Sequence, residues 1–186
     1  MNKYLMLKLI RFIFDAIMFI ICIGFFIKKQ IFLVYYVIFL YAAYKLFLYF
    51  ESKKKDQVKL DIKILMMITI ILDVVGGFYL NLYDTNHWFD KFMHFFGSFS
   101  LTLFYCGLIQ LWTGIFSHSK MLMFIFLSSL GIASGAIYEI MEFVLDFIFK
   151  TNNQAGLIDT NLDLIFDIFG ANLAAALSIY RKDCIY

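Results

Sequence analysis

Three runs of this 186-residue chain hold side chains able to do chemistry: DKFMH from Asp90, YEIME from Tyr138 and DTNLDLIFD from Asp159. Asp90 and His94 stand at i and i+4; Glu139, Glu142 and Asp146 at i, i+3 and i+7; Asp163 and Asp167 again at i and i+4, with Asp159 ahead of them in a loop. Residues three or four apart share a helix face, so each run lays down a polar stripe. Carboxylates gathered with an imidazole can do two kinds of work. Glu139, Glu142, Asp163 and Asp167 could hold a divalent cation that polarises an ester or phosphoryl oxygen. Oxygen donors with one imidazole suit Mg²⁺, Mn²⁺ or Ca²⁺, and Zn²⁺ with fewer carboxylates. His94, oriented by Asp90, could serve as general acid or base, with Glu139, Glu142 and Asp163 completing the catalytic set. Such a site reads as cation-poor, because the neighbouring Lys91 can snorkel outward. Close carboxylates without a counter-charge must share protons or a metal ion.

The elements that must position these residues are apolar throughout. Hydrophobic residues make up 63% of the chain and charged ones 16%, against about 45–50% and about 25% in soluble domains. Proline is absent and phenylalanine occurs 24 times, which suits long helices in lipid. Six runs are long enough to cross a bilayer: about 9–27, 31–50, 64–83, 89–116, 121–149 and 162–180,. No alternation of the barrel-strand kind appears, so the expected fold is all-α, a polytopic integral membrane protein of about six transmembrane helices. The whole chain, 1–186, reads as one membrane domain, with a two-helix portion over 1–50 and a four-helix portion over 60–180 that holds the polar residues. The basic N-terminus precedes an apolar run without a small-residue cleavage site, as in a retained first span.

Basic residues set the direction. With the N-terminus inside, twelve lysines and arginines fall on the cytoplasmic side and four (Lys28, Lys29, Lys91, Lys150) on the other. Both termini are therefore expected in the cytoplasm of a cell-membrane protein. The acids distribute the opposite way, leaving the inner half at +7 and the outer half at −5. Helical rise then places His94 about 8 Å, Glu139 and Glu142 about 15 and 10 Å, and Asp167 about 8–10 Å from the outer ends of their spans, with Asp73 about 15 Å deep. Stripes matched in depth and phase predict a common pocket opening outward.

Plainer roles compete for several of these residues. Asp90 could be an N-cap, Asp159-Thr160 could cap the last helix, Asp146 could be solvated at the interface, and Asp73 could cap Gly76-Gly77. Glu139, Glu142, His94 and Asp167 could form a hydrogen-bond network that only locks the bundle. Gly131 and Gly135 allow close helix contact. Cys22 and Cys106 read as apolar fillers and Cys184 as a terminal thiol, with no disulfide framework. The basic loop from Lys53 to Lys63 is explained by topology and contact with membrane lipids, and nothing supports nucleic-acid binding.

The motifs Asp90-Lys91-x-x-His94, Tyr138-Glu139-x-x-Glu142 and Asp159-Thr160-x-x-Asp163 resemble those of the YjdF-like bacterial inner-membrane proteins, over about residues 60–180. A looser similarity runs to the VanZ-like proteins, in which an Asn is usual where Asp167 stands. Neither resemblance implies an established reaction. The functional expectations are a hydrolase or transferase acting on a lipid or lipid-linked cell-envelope substrate, a structural or interaction protein, or an ion-coupled transporter. A membrane-impermeant maleimide applied to intact cells should label Asn86→Cys and spare Lys54→Cys until the membrane is permeabilised. The reverse pattern would invert the topology.

Overall fold

Without proline, the apolar runs continue as long helices, and three of the stops are left-handed residues, Lys29, Asn81 and Lys150. The computed structural model describes residues 3–54, 57–113, 119–151, 153–181 and 184. Lys55, Asp56, Lys182 and Asp183 of the charge count, and the expected end of the fourth span at Phe116, lie outside these residues. Helix α1 (Lys3–Ile27) turns at Lys29, φ 58°, into α2 (Ile31–Glu51). Helix α3 (Leu60–Ile71) runs on as a π-helical segment, Leu72–Tyr79, and a turn at Asn81 leads through the short α4 (Leu82–Thr85). Then come α5 (His87–Thr113), α6 (Lys120–Phe149), which stops at left-handed Lys150, and α7 (Leu157–Arg181). Six of these are long and apolar enough to cross a membrane. The chain is an all-α, multi-pass membrane protein.

Two boundaries differ from the sequence reading. Asp159 and Thr160 are not in a loop but in the first turn of α7, which begins at Leu157. Acids favour a helix N-terminus, so the polar start of α7 looked like a linker. The third span begins earlier than expected and ends at Tyr79, because Leu80 and Asn81 break it.

Helix α5 is the hub, packed against α7, α6 and α3. The closest approaches use small residues, as expected between membrane helices. A Cβ on Gly131 would strike Thr102 and Ala171, and one on Gly170 would strike the Phe95 carbonyl and Ser98. On the other side, Phe14, Met18, Ile21 and Phe25 of α1 pack with Val37 and Tyr44 of α2 and with Met66, Met67, Ile70 and Val74. Phe12, Phe19, Phe26, Phe39, Phe143 and Phe147 point outward as a lipid-facing surface,.

The end of the bundle bearing the basic loop is packed from several segments. Val58 sits against Gly107. Buried Glu51 accepts from the Val58 amide at 2.8 Å and pairs with Lys63 at 3.0 Å. Cys106 and Cys184, expected as a filler and a free thiol, instead form a disulfide with Cα atoms 6.0 Å apart. Their separation of 78 residues hid the pairing. The Cys184 amide also donates to Gln110 at 2.6 Å, and its carbonyl accepts from Lys59 at 2.9 Å.

Gly170→Ala should destabilise the protein by about 1–3 kcal/mol, since the obstructing Phe95 carbonyl is backbone and cannot swing away. Gly97→Ala, with open space at its Cβ, should be neutral or stabilising by up to about 1 kcal/mol through helix propensity. Thermal unfolding in detergent ranks the two; equal effects would argue against the tight α5–α7 contact.

Candidate functional site

Helix α5 is started by Asn86, whose Oδ1 accepts from the Trp88 amide at 3.1 Å. That leaves Asp90 free of a capping role and turns Asp90, Lys91 and His94 toward α7 and α6. Lys91 does not snorkel outward. It is 6% exposed, and its ammonium meets Asp90 at 3.0 Å, Asp163 Oδ1 at 2.7 Å and Oδ2 at 2.9 Å, and Asp159. A lysine so placed has no reason to reach for water, because three carboxylates replace its hydration. The site is therefore less cation-poor than its sequence suggested.

One turn deeper, the His94 ring is locked. Its Nδ1 lies 3.1 Å from Asp167 Oδ2; a carboxylate only accepts, so Nδ1 carries the hydrogen. Asp167 reaches this position because α6 offers Gly135 opposite it, where any Cβ would collide with the carboxylate. The ring meets Tyr138 edge to face, centroids 5.7 Å apart. His94 Nε2 then faces Glu139 Oε1 at 3.3 Å and Asp163 Oδ1 at 4.0 Å. Nε2, Glu139 Oε1 and Asp163 Oδ1 are all buried and have no hydrogen-bond partner; the Lys91 ammonium near Asp163 Oδ1 is not aligned to donate to it.

Glu139 is held from the other side by the α6–α7 connection. Asp146 accepts from Thr151 at 2.6 Å, the Asn153 amide at 2.9 Å and the Gln154 amide at 2.9 Å, which folds the turn back over α6. Gln154 Nε2 is thereby aimed inward and donates to the Glu139 carbonyl and to Oε2, each at 2.9 Å. Oε2 is occupied and Oε1 is left facing the imidazole. Asp146 is thus an organiser of the loop, not an idle interfacial acid.

Below the cluster lies a cavity of about 230 Å³. Its polar end is formed by Asp73, Asp90, His94, Ser98 and Asp167, its deep walls by Leu40, Met66, Ile70 and Leu101. Leu101, two turns past His94, is about 10 Å further into the membrane. Asp73 does not cap Gly76-Gly77: the π-helical stretch turns it inward, where the hydroxyls of Tyr36 and Tyr83 donate to it at 2.8 and 2.7 Å. Burial first, then the Asp73 carboxylate, push the Tyr83 phenol well above its usual range, which keeps it a donor.

The structure brings together every residue singled out in the three motifs, though in subsets. His94, Glu139 and Asp163 place one donor atom each within 4.8 Å of one another, as do Asp90, His94 and Glu142, and Asp90, Asp159 and Asp163. Asp167 serves His94 Nδ1 and belongs to none of these sets, and Glu142 does not join Glu139 and Asp163 in one. Sequence reasoning missed four contributors: Lys91, Gln154, Tyr36 and Tyr83. Lys91 had a visible signal, since i and i+3 put it on the His94 face. The other three come from distant turns and helices and had none.

Residues 9–183 match the family described as "Predicted membrane protein (DUF2238)". An uncharacterized protein of Thermotoga maritima is 33% identical over 152 residues, covering 79% of this chain and 76% of its own. No solved structure matches.

Replacing Lys91 by methionine removes the cation from three carboxylates in a low-dielectric setting. It should cost about 3–5 kcal/mol, the usual penalty for breaking a buried pair. Lys45→Met, which breaks a pair with Asp15 whose side chains are 41% and 36% exposed, should cost about 0–1 kcal/mol. Thermal or denaturant unfolding in matched micelles measures both.

Proposed function

The chain belongs to the DUF2238 family of predicted membrane proteins, and from the geometry of its site we propose that it is a membrane-embedded hydrolase or transferase. Its substrate is a lipid or lipid-linked cell-envelope molecule of the plasma membrane, reached from the outer leaflet. The resemblance of its three motifs to those of YjdF-like membrane proteins, and the looser similarity to VanZ-like proteins, are compatible with this and assign no reaction.

One observation favours the reading above the others: the cavity is amphiphilic along the membrane normal. A charged end at His94, Asp90 and Asp167 lies above walls of Leu40, Met66, Ile70 and Leu101. A molecule with a polar group and an aliphatic chain matches both halves, with its head beside the imidazole and its tail pointing toward the bilayer centre. A free polar metabolite would leave the deep walls wet, and a pure hydrocarbon would leave the carboxylates unsolvated.

The locked imidazole is the fixed electron-pair donor on which this proposal centres. With Nδ1 committed to Asp167, Nε2 alone presents a lone pair, and its direction is fixed by packing against Tyr138 and α6. Ordered this way, the group works without rearrangement at the moment of reaction. The transporter alternative finds less support, because the deep part of the cavity is lined by apolar side chains and, among the described residues, Val58, the Glu51–Lys63 pair and Cys184 pack across the far end of the bundle. The Lys91 ion pairs join α5 and α7 and support a structural role for that part of the cluster; His94 and Glu139, with unpartnered atoms, are not explained by that role.

Purified protein in nanodiscs made from total envelope lipid should convert a minority lipid species, detected by mass spectrometry of the extract over time. His94→Asn, which preserves a polar side chain of similar reach, should slow that conversion at least about a hundredfold. A lipid profile that never changes, or changes equally with the His94 variant, would remove the enzyme reading.

A further inference from the structure

We propose that His94 Nε2, Glu139 and Asp163 form a binding site for a divalent transition-metal cation, with Asp167 as the carboxylate that orients the histidine. The inference concerns binding and holds or fails separately from the lipid-converting activity.

The first argument is local. Asp167 fixes the hydrogen on Nδ1, so in the neutral ring Nε2 is a lone pair,. Facing it at 3.3 Å is Glu139 Oε1, a second acceptor. Two acceptors at that distance repel unless something positive lies between them. A proton on Nε2 would form an ion pair with Glu139 but no aligned hydrogen bond, leaving both atoms incompletely satisfied. A cation bound to both removes the conflict.

Ligand atoms about 2.1 Å from a tetrahedral ion stand about 3.4 Å apart; the Nε2–Glu139 separation of 3.3 Å fits as it stands, and Asp163, 4.0 Å from Nε2, must close in by about half an ångström,. The Lys91 ammonium is 2.7 Å from Asp163 Oδ1 and 2.9 Å from Oδ2, and its hydrogen bond is to Oδ2, so Asp163 can contribute Oδ1 once the ammonium shifts fully onto Oδ2. Glu139 can contribute Oε1 while Gln154 remains on Oε2. Each ligand thus keeps an outer partner that sets its orientation, including the carboxylate–histidine arrangement behind most metal-bound imidazoles.

The second argument is the charge balance. Asp90, Asp159, Asp163, Asp167, Glu139 and Glu142 converge on one ammonium and one imidazole. His94, Glu139 and Asp163 have side chains only 5%, 5% and 3% exposed, so water does little to screen them. Added positive charge is what this environment lacks. One nitrogen and two carboxylate donors suit Mn²⁺ or Zn²⁺; Mg²⁺ and Ca²⁺ gain little from the imidazole. Bound there, the ion would supply Lewis acidity at the polar end of the cavity, and His94 would be a ligand, leaving proton transfer to a carboxylate such as Glu142.

Tag-free protein, purified in nanodiscs and stripped with chelator, is titrated with Mn²⁺ and with Zn²⁺. Binding is read by calorimetry and, for Mn²⁺, by loss of the free-ion paramagnetic resonance signal. One ion per chain is expected, with a rise in thermal midpoint. Glu139→Gln and His94→Ala should abolish the site. Asp167→Asn, which keeps shape but weakens the hold on Nδ1, should lower affinity about 10–100-fold without abolishing it. A Glu139→Gln protein that melts like the parent yet binds no ion confirms that the loss is one of ligation. If stripped parent protein binds neither ion and its melting point is unmoved, the site does not exist, even where His94-dependent lipid conversion persists. If it binds one ion but converts no lipid, the metal site stands and the enzyme reading falls.

Discussion

The buried ammonium of Lys91 is the contact on which the rest depends. It draws Asp159 and Asp163 of α7 against Asp90 of α5, and in doing so fixes the rotation of α7 about its own axis. Once that rotation is set, Asp167, one turn on, must face His94, and Gly170, almost another turn on, must meet the Phe95 carbonyl. The charged and the close-packed contacts of α7 lie on one stripe and reinforce each other. Ion pairs in a membrane interior are costly to desolvate but more costly to break, so this one is better at specifying a single helix orientation than at adding net stability.

Much of this was legible in the sequence, for reasons that can be named. Helix content and span number follow from uninterrupted apolar runs without proline, and the lipid environment leaves the backbone few other choices. The three stripes follow from i, i+3 and i+4 spacing, which is local. What was not legible depends on contacts between distant segments. Gln154 reaches Glu139 only because Asp146 folds the α6–α7 turn, and Tyr36 meets Asp73 only because a π-helical stretch rotates Asp73 inward. Lys91 was misread on a general rule about lysines near membrane surfaces. That rule assumes lipid as the surrounding, and here the surrounding is three carboxylates.

The division of labour inside the cluster is instructive. Each carboxylate that holds the fold is saturated: Asp159 by Lys91 and the Ala155 amide, Asp73 by two phenols, Asp146 by the loop it organises. Among the described residues, three of the four buried side-chain atoms without hydrogen-bond partners sit together at His94, Glu139 and Asp163, the fourth being Ser128 Oγ. Buried polar groups in native proteins nearly always find partners, so incomplete satisfaction concentrated at one point separates the part of a polar network that acts on something from the part that holds it in place.

The disulfide between Cys106 and Cys184 closes a covalent ring through the last two turns of α5, all of α6 and all of α7. All the carboxylate-bearing turns of α6 and α7 lie inside that ring, whereas the Asp90–His94 stretch lies outside it, more than three turns before Cys106. A cut in the exposed turn after Lys150 would therefore split the backbone between Glu139 and Asp163 without releasing either piece, the two being joined at the far end of the bundle. The pocket sits at one end of a clasp whose fastening is at the other, in a different chemical compartment if the bundle crosses the membrane as its lysines direct.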